Sequence, residues 1–202
     1  KKVHPMLLTR GVPGTHDTNE MMNFFRKIKS KKFKSLKVPI FNKVQDDRFN
    51  KQNWQSIKKR PDVIILEGWC VGAKSVSINS LKKPINYLEK TKDQKLVWRR
   101  YVNQQLKLKY KNLYSQLNSL IYLKAKNFSL LQKWRLKQEN KLWLKNKNKN
   151  KSKIMNKEEI FNFMQTYQRI TENMFKTMPK FASIVMHLNS NHQIKSTVYK
   201  NK

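Results

Sequence analysis

Arg10-Gly11-Val12-Pro13-Gly14-Thr15-His16-Asp17 puts a guanidinium, a hydroxyl, an imidazole and a carboxylate into eight residues that hold two of the chain's four glycines. Glycines at 11 and 14 permit positive φ and close backbone approach to a ligand. A turn followed by a helix cap accounts for Pro13, Gly14 and Asp17. It does not account for Arg10, Thr15 and His16 in the same short segment, which points to ligand binding. A second candidate is Glu67, at the end of the run Asp62-Val63-Ile64-Ile65-Leu66-Glu67. The apolar stretch between Pro61 and Gly68 predicts a strand buried on both faces, as in the centre of a parallel sheet. A carboxylate at the C-terminal end of such a strand reaches the crevice where open α/β sheets bind ligands. There it can hold Mg²⁺ or orient water beside a nucleotide phosphate; the alternative is a solvated strand end.

A third group is Lys43 and Arg48, which flank Asp46 and Asp47 in a polar loop. The cations can anchor an anionic substrate with Asp47 fixing the Arg, or the loop is a surface ion-pair cluster of little energetic weight. Gly68-Trp69-Cys70-Val71-Gly72-Ala73-Lys74-Ser75 invites comparison with the phosphate-binding pattern G-x-x-x-x-G-K-[ST]. Only three residues separate its glycines, Ala73 intrudes before Lys74, and Pro84 interrupts the segment beyond Ser75. It is not a P-loop, and no other Gly-rich loop is present.

The elements that must position these groups read as alternating strands and helices. Asp17 or Thr18 caps a helix with Met21, Met22, Phe24, Phe25 and Ile28 on its apolar face. Leu36–Phe41 is a short strand limited by Pro39. Apolar residues from Leu96 to Leu117 recur at helical spacing, and 118–125 predicts a second buried strand. Asn127 caps a periodic helix carrying Lys133, Arg135, Lys137 and Lys141, with Gln138 and Glu139 beside them. Residues 145–153 (KNKNKNKSK) are low-complexity. Asn156-Lys157-Glu158-Glu159 opens another helix, 181–188 is a third apolar strand and Ile194–Tyr199 a last one. The order predicts one three-layer α/β domain with a mainly parallel sheet.

Composition narrows the class. In 202 residues a net charge of +33 invites a nucleic-acid partner. However, 37 of the 45 cations are Lys and only eight are Arg, whereas Arg is the preferred reader of base edges and phosphates. The lysines come with abundant Asn and Ile along the whole chain, as an A/T coding bias produces. No specific nucleic-acid partner is expected, only a salt-sensitive, sequence-blind affinity for RNA. A lone Cys70 rules out a disulfide framework and fits a reducing, cytoplasmic setting. His4, His16, His187 and His192 lie too far apart for a structural zinc site. No apolar run approaches the ~20 residues of a membrane span.

Four segments occur in a distinctive order: RGVPGTHD (10–17), VIILEGW (63–69), WRLKQE (134–139) and YQRIT (167–171). Together with VWRRYVNQQL (97–106) they resemble the P-loop glycerate kinase family of cyanobacteria, plants and related bacteria and fungi, from about Met6 to Gln193. The resemblance implies a P-loop NTPase-like kinase fold similar to uridine kinase and phosphoribulokinase. It also implies transfer of the ATP γ-phosphoryl group to D-glycerate, giving 3-phosphoglycerate in the photorespiratory glycolate pathway, with Mg²⁺ as cofactor. Carried over by position, Glu67 matches the Walker B-type acid, near Mg²⁺ and its waters. Arg10, Thr15, His16 and Asp17 match the substrate-side loop, and Lys43 and Arg48 a further substrate-binding segment. Arg135 matches the lid-helix arginine, on a lid-like region at about 127–157, that neutralises charge on the transferring phosphoryl group. Arg169 is a weaker addition on the nucleotide side.

This sequence departs from the family at Phe41-Asn42, where Tyr-Asp is usual. The family's P-loop lies upstream of RGVPGTHD, so the 202 residues are expected to be a C-terminal part of one kinase domain, without its N-terminal strand and P-loop. Alone they are expected to show no ATP-dependent glycerate phosphorylation. The competing expectations are a P-loop kinase of another small hydroxylated metabolite and a non-catalytic basic RNA-binding remnant.

Overall fold

A computed structural model of the chain describes residues 3–8, 10–42, 47–145 and 155–200. Lys43, expected to bind substrate, and most of the low-complexity stretch lie outside the described residues. Helix α1 (Thr18–Ile28) opens where the Asp17 carboxylate accepts the Glu20 N–H, so the cap predicted from sequence forms. Four short strands come next: β1 (Leu36–Val38), β2 (Phe41–Asn42), β3 (Asp47–Arg48) and β4 (Gln55–Ile57). They pair antiparallel as β1 with β4 and β2 with β3. Pro39 separates β1 from β2, since it has no N–H to give a ladder.

The middle of the chain is helical: α2 (Ile78–Lys82), α3 (Tyr87–Lys92), α4 (Val97–Gln105), a π-helical turn at Leu106–Tyr110 and α5 (Lys111–Tyr114). Strand β5 (Ile121–Lys124) leads into α6 (Phe128–Lys145), whose Leu130 N–H is capped by the Asn127 side chain. Helix α7 (Lys157–Phe181) begins with a reciprocal capping box between Asn156 and Glu159. It leads into β6 (Ile184–Leu188) and β7 (Ile194–Tyr199). Strand β6 pairs parallel with β5 and antiparallel with β7. The core lies between this sheet, α4, the π turn and α7, around Trp98, Val102, Leu106, Met174, Met178 and Val185. A smaller cluster of Phe128, Ile160 and Met164 joins α6 to α7.

Two expectations change. The fold is α/β, but among the described residues the sheets are small and mixed, with one parallel strand pair in place of a mainly parallel central sheet. The run 62–67 is the cause. It forms no strand, Val63 is 75% and Ile65 85% exposed, and among the described residues its backbone makes no hydrogen bond. β-Branched residues favour extended backbone, but a strand also needs a neighbour to pair with and pack on. Strand β5, expected to be buried, is packed on one face only: Tyr122 is buried while Ile121 and Leu123 are 54% and 58% exposed. Among the described residues no helix is long and apolar enough to cross a membrane.

Candidate functional site

The 10–17 loop is held by its own polar groups and by two tyrosines on the α4–π segment. Thr15 Oγ1 accepts the Gly11 N–H at 2.8 Å and donates to the Val12 carbonyl at 2.7 Å, so this hydroxyl closes the loop. The Gly14 N–H donates to Tyr110 Oη at 3.0 Å, and Tyr101 Oη donates to the Gly14 carbonyl at 3.3 Å. Gly14 has φ +101°, and a Cβ there would lie 2.6 Å from the Tyr101 ring, so position 14 is closed to other residues on both counts.

Tyr110 Oη is 2.7 Å from His16 Nδ1. Since this oxygen already accepts from Gly14, its proton goes to Nδ1, which leaves His16 neutral with its proton on Nε2. Burial and then the Arg10 charge hold the His16 pKa below the ordinary imidazole value, which favours the neutral ring. Asp17 divides its carboxylate between the α1 cap and Arg48 Nη1 at 3.1 Å, both side chains being half-exposed. The β2–β3 ladder sets Phe41 opposite Arg48. The Arg10 guanidinium lies over the Phe41 ring, 3.3 Å from its centre. Arg10, His16, Asp17 and Arg48 thus come together, and Phe41, where the family has Tyr, provides the surface on which Arg10 rests.

A second group stands beside the first across Tyr167 on α7. Its ring packs on Trp69 at 5.0 Å and Phe163 at 5.2 Å. Its hydroxyl faces Gly11 so closely that a Cβ at that glycine would overlap it. Among the described residues this hydroxyl donates to no acceptor, although Arg10 and Arg135 are near enough for their charges to favour its ionised form. Burial outweighs both, so the phenol stays protonated far above neutral pH and is a hydrogen-bond donor. Arg135, on α6, reaches Gln138 Oε1 and Glu139 Oε2, each at 2.8 Å, while among the described residues its buried Nε has no partner. Glu139 is itself fixed by the Met155 N–H at 3.0 Å.

Arg135 also borders a cavity of about 350 Å³ with Trp69, Trp134, Lys137, Lys141 and His192. The Trp134 and His192 rings stack there at 4.1 Å, and Trp134 Nε1 donates to the Ser190 carbonyl. The cavity therefore pairs an aromatic wall with three cations, a combination suited to an aromatic ligand with negative charge.

Two candidates sit apart from this arrangement. Glu67 is exposed, two residues before Trp69, and among the described residues it has no ion-pair partner. Among the described residues no three His, Cys, Asp or Glu side chains gather as metal ligands. A single free carboxylate still fits Mg²⁺, which keeps most of its waters and takes one or two carboxylates beside substrate phosphates. Arg169 is directed into the protein. It forks onto Glu89 at 2.8 and 2.6 Å and donates to the Ser80 and Lys83 carbonyls. Each nitrogen of its guanidinium is thereby engaged.

Glu89 also meets Arg99 Nη1 at 3.3 Å, and Arg99 Nε donates to Asp93 at 2.9 Å, which makes a buried cluster of two Arg and two acids. The YQRIT segment thus serves three ends. Tyr167 faces the site, Arg169 ties α7 to α3, and Thr171 receives the Trp69 indole N–H at 2.8 Å. Sequence reasoning misses Tyr110, Trp69 and Trp134 as site residues, since they share the apolar spacing of core aromatics. Of the aromatics interleaved with lysines, Trp98, Tyr110 and Tyr122 are buried.

No family model matches the sequence. The uncharacterised kinase mug58 of Schizosaccharomyces pombe is 25% identical over 174 residues. The chloroplastic D-glycerate 3-kinase of Arabidopsis thaliana is 26% identical over 141 residues. These matches take in 81% and 66% of the chain but span 58% and 28% of the relatives' own lengths. Among solved structures, D-glycerate 3-kinase from Cryptococcus neoformans var. grubii superposes with a TM-score of 0.75 at 21% identity, over 99% of this chain and 72% of that one. The YGR205w protein superposes with a TM-score of 0.71 at 27% identity, over 98% of this chain and 69% of that one. In sequence the chain is thus similar to a D-glycerate 3-kinase and an uncharacterised kinase, and in fold to a solved D-glycerate 3-kinase.

Proposed function

We propose that the protein works as an ATP-dependent phosphotransferase on a small hydroxy acid, D-glycerate being the acceptor that the family suggests. One observation carries this reading. The charges of Arg10 and Arg135 both act on the Tyr167 hydroxyl, and among the described residues Arg10 has no carboxylate partner and that hydroxyl no acceptor. Such donors are complementary to a carboxylate and a phosphoryl group held side by side.

In this reading Arg10, on its Phe41 support, pairs with the acceptor's carboxylate, and Tyr167 donates a hydrogen bond to the same anion. The Arg48–Asp17 pair holds the loop in place. His16 presents Nε2–H, a donor, because Tyr110 occupies Nδ1. Arg135, with Lys137 and Lys141, offsets negative charge on the phosphoryl group in transfer. The Trp134–His192 pair walls the side where the nucleotide base lies. Glu67 would hold Mg²⁺ through water, and the ion when bound would offset negative charge on the nucleotide phosphates. The P-loop-like three-layer architecture and the lid role of α6 belong to the same proposal.

The test is ATP turnover by the native gene product against D-glycerate, L-glycerate, glycerol, pantothenate and uridine. D-glycerate is expected to be preferred. Arg10→Met is expected to raise KM for the acid with little change in kcat, and Arg135→Met to lower kcat. Preference for an uncharged acceptor such as uridine, unaffected by Arg10→Met, would overturn the assignment in favour of another hydroxylated metabolite.

A further inference from the structure

A second cavity is larger than the one beside Arg135. It measures about 1050 Å³ and lies where 117–120 enter β5 and 180–183 enter β6. His192 and α6 come after the opposite ends of these two strands. At ~3.3 Å per residue the length of the sheet, roughly 13–17 Å, separates this cavity from the candidate site.

Five lysines border it: Lys74, Lys107, Lys111, Lys180 and Lys200. They arrive from a loop, the π turn, α5, the last turn of α7 and the residue after β7, so no single basic run accounts for them. No Asp or Glu borders the cavity, and among the described residues none of the five is in an ion pair. Lys74 rests over the Phe181 ring at 3.6 Å, held by the negative face of the ring. Between the lysines the wall is apolar, with Leu106 and Leu120. One side is the π-helical turn, a departure from regular helix that recurs at functional sites.

We infer that this cavity is a second binding site, for an organic polyanion of about nucleotide size, a phosphorylated or sulfonated molecule with an apolar body. Its volume is at the upper end for small-molecule sites, ~300–1,000 Å³, so a single phosphate leaves most of it unfilled. Its charge calls for several negative groups, and its leucine wall for a hydrocarbon or aromatic body. The inference stands on this cavity alone and is independent of the acceptor or nucleotide assigned at the other end of the sheet.

The chain's lysine content makes diffuse attraction the rival explanation, and the experiment separates the two. Binding of pyrene tetrasulfonate at about 0.15 M salt, where long-range attraction is screened, is followed by fluorescence for the native protein and three variants. These are Lys107→Gln/Lys111→Gln/Lys180→Gln, an equal-charge control Lys31→Gln/Lys32→Gln/Lys34→Gln, and Arg135→Met. Expected are saturable one-to-one binding, at least tenfold loss in the cavity triple, and less than twofold change in the other two. Equal loss in both triples, or loss confined to Arg135→Met, would overturn the inference. Should the cavity triple misfold, amine acetylation of the native protein decides. Protection of Lys107, Lys111 and Lys180 by the probe, with Lys31, Lys32 and Lys34 still reactive, supports the site, and uniform reactivity refutes it.

Discussion

Replacing Glu89 by Gln tests the buried charge cluster directly. Glu89 is 0% exposed, and its two carboxylate oxygens meet Arg169 Nε and Nη2, Arg99 Nη1 and the Ile85 N–H. The amide keeps the shape but removes the charge, so Arg99 keeps only Asp93 and Arg169 is left, among the described residues, with no carboxylate. Breaking a buried ion pair from one side costs about 3–5 kcal/mol, because the other charge stays buried. For a chain of this size 1 kcal/mol moves Tm by ~2–4 °C, so the variant is expected to melt roughly 6–20 °C lower. Urea and thermal unfolding by circular dichroism measure this. Glu89→Met/Arg169→Met removes both partners and is expected to cost clearly less than the sum of the single changes, a non-additivity of more than ~0.5 kcal/mol. A loss under about 1 kcal/mol for Glu89→Gln, or additive single changes, refutes the reasoning. Arg169→Lys adds a check on function. If Arg169 binds nucleotide, that change weakens nucleotide affinity at unchanged stability; the geometry predicts lower stability first.

Gly14→Ala is expected to cost about 2–4 kcal/mol, from positive φ and overlap with the Tyr101 ring; an unchanged Tm in thermal unfolding would count against the loop geometry. His16 is expected to titrate below 6.5 by NMR. Since the unfolded chain then binds the proton more readily, stability should fall as pH drops below about 6.5 and level off once the folded imidazole is protonated. An imidazole pKa at or above 6.5 would contradict the burial of His16 beside Arg10.

What can be read from residues in order is largely what local chemistry decides. Asp17, Asn127 and Asn156 cap the helices they precede, because capping needs only a side-chain oxygen and the next turn of backbone. The 10–17 loop is legible because its polar residues are adjacent. The support of that loop is not. Tyr101, Tyr110 and Tyr167 lie far off in sequence, and nothing local distinguishes an aromatic that packs from one that also directs a hydroxyl. Arg169 shows the converse. In a one-dimensional reading an arginine in a motif suggests an anionic ligand, yet here the anion is Glu89, 80 residues earlier. The 62–67 run misleads for a third reason, since pairing belongs to two segments and only one can be read at a time.

That run has a consequence for the life of the polypeptide. Val63-Ile64-Ile65-Leu66 is an uncharged aliphatic stretch whose backbone, among the described residues, is unpaired, a composition that favours cross-β stacking. Lys58, Lys59, Arg60 and Asp62 precede it and Glu67 closes it. Identical copies stacking in register would bring each of these charges against its own kind, as gatekeeper residues do around unavoidable hydrophobic segments. Glu67 thereby answers to two selective pressures. One is the chemistry proposed for its carboxylate, and the other is the solubility of every copy of the chain that leaves the ribosome.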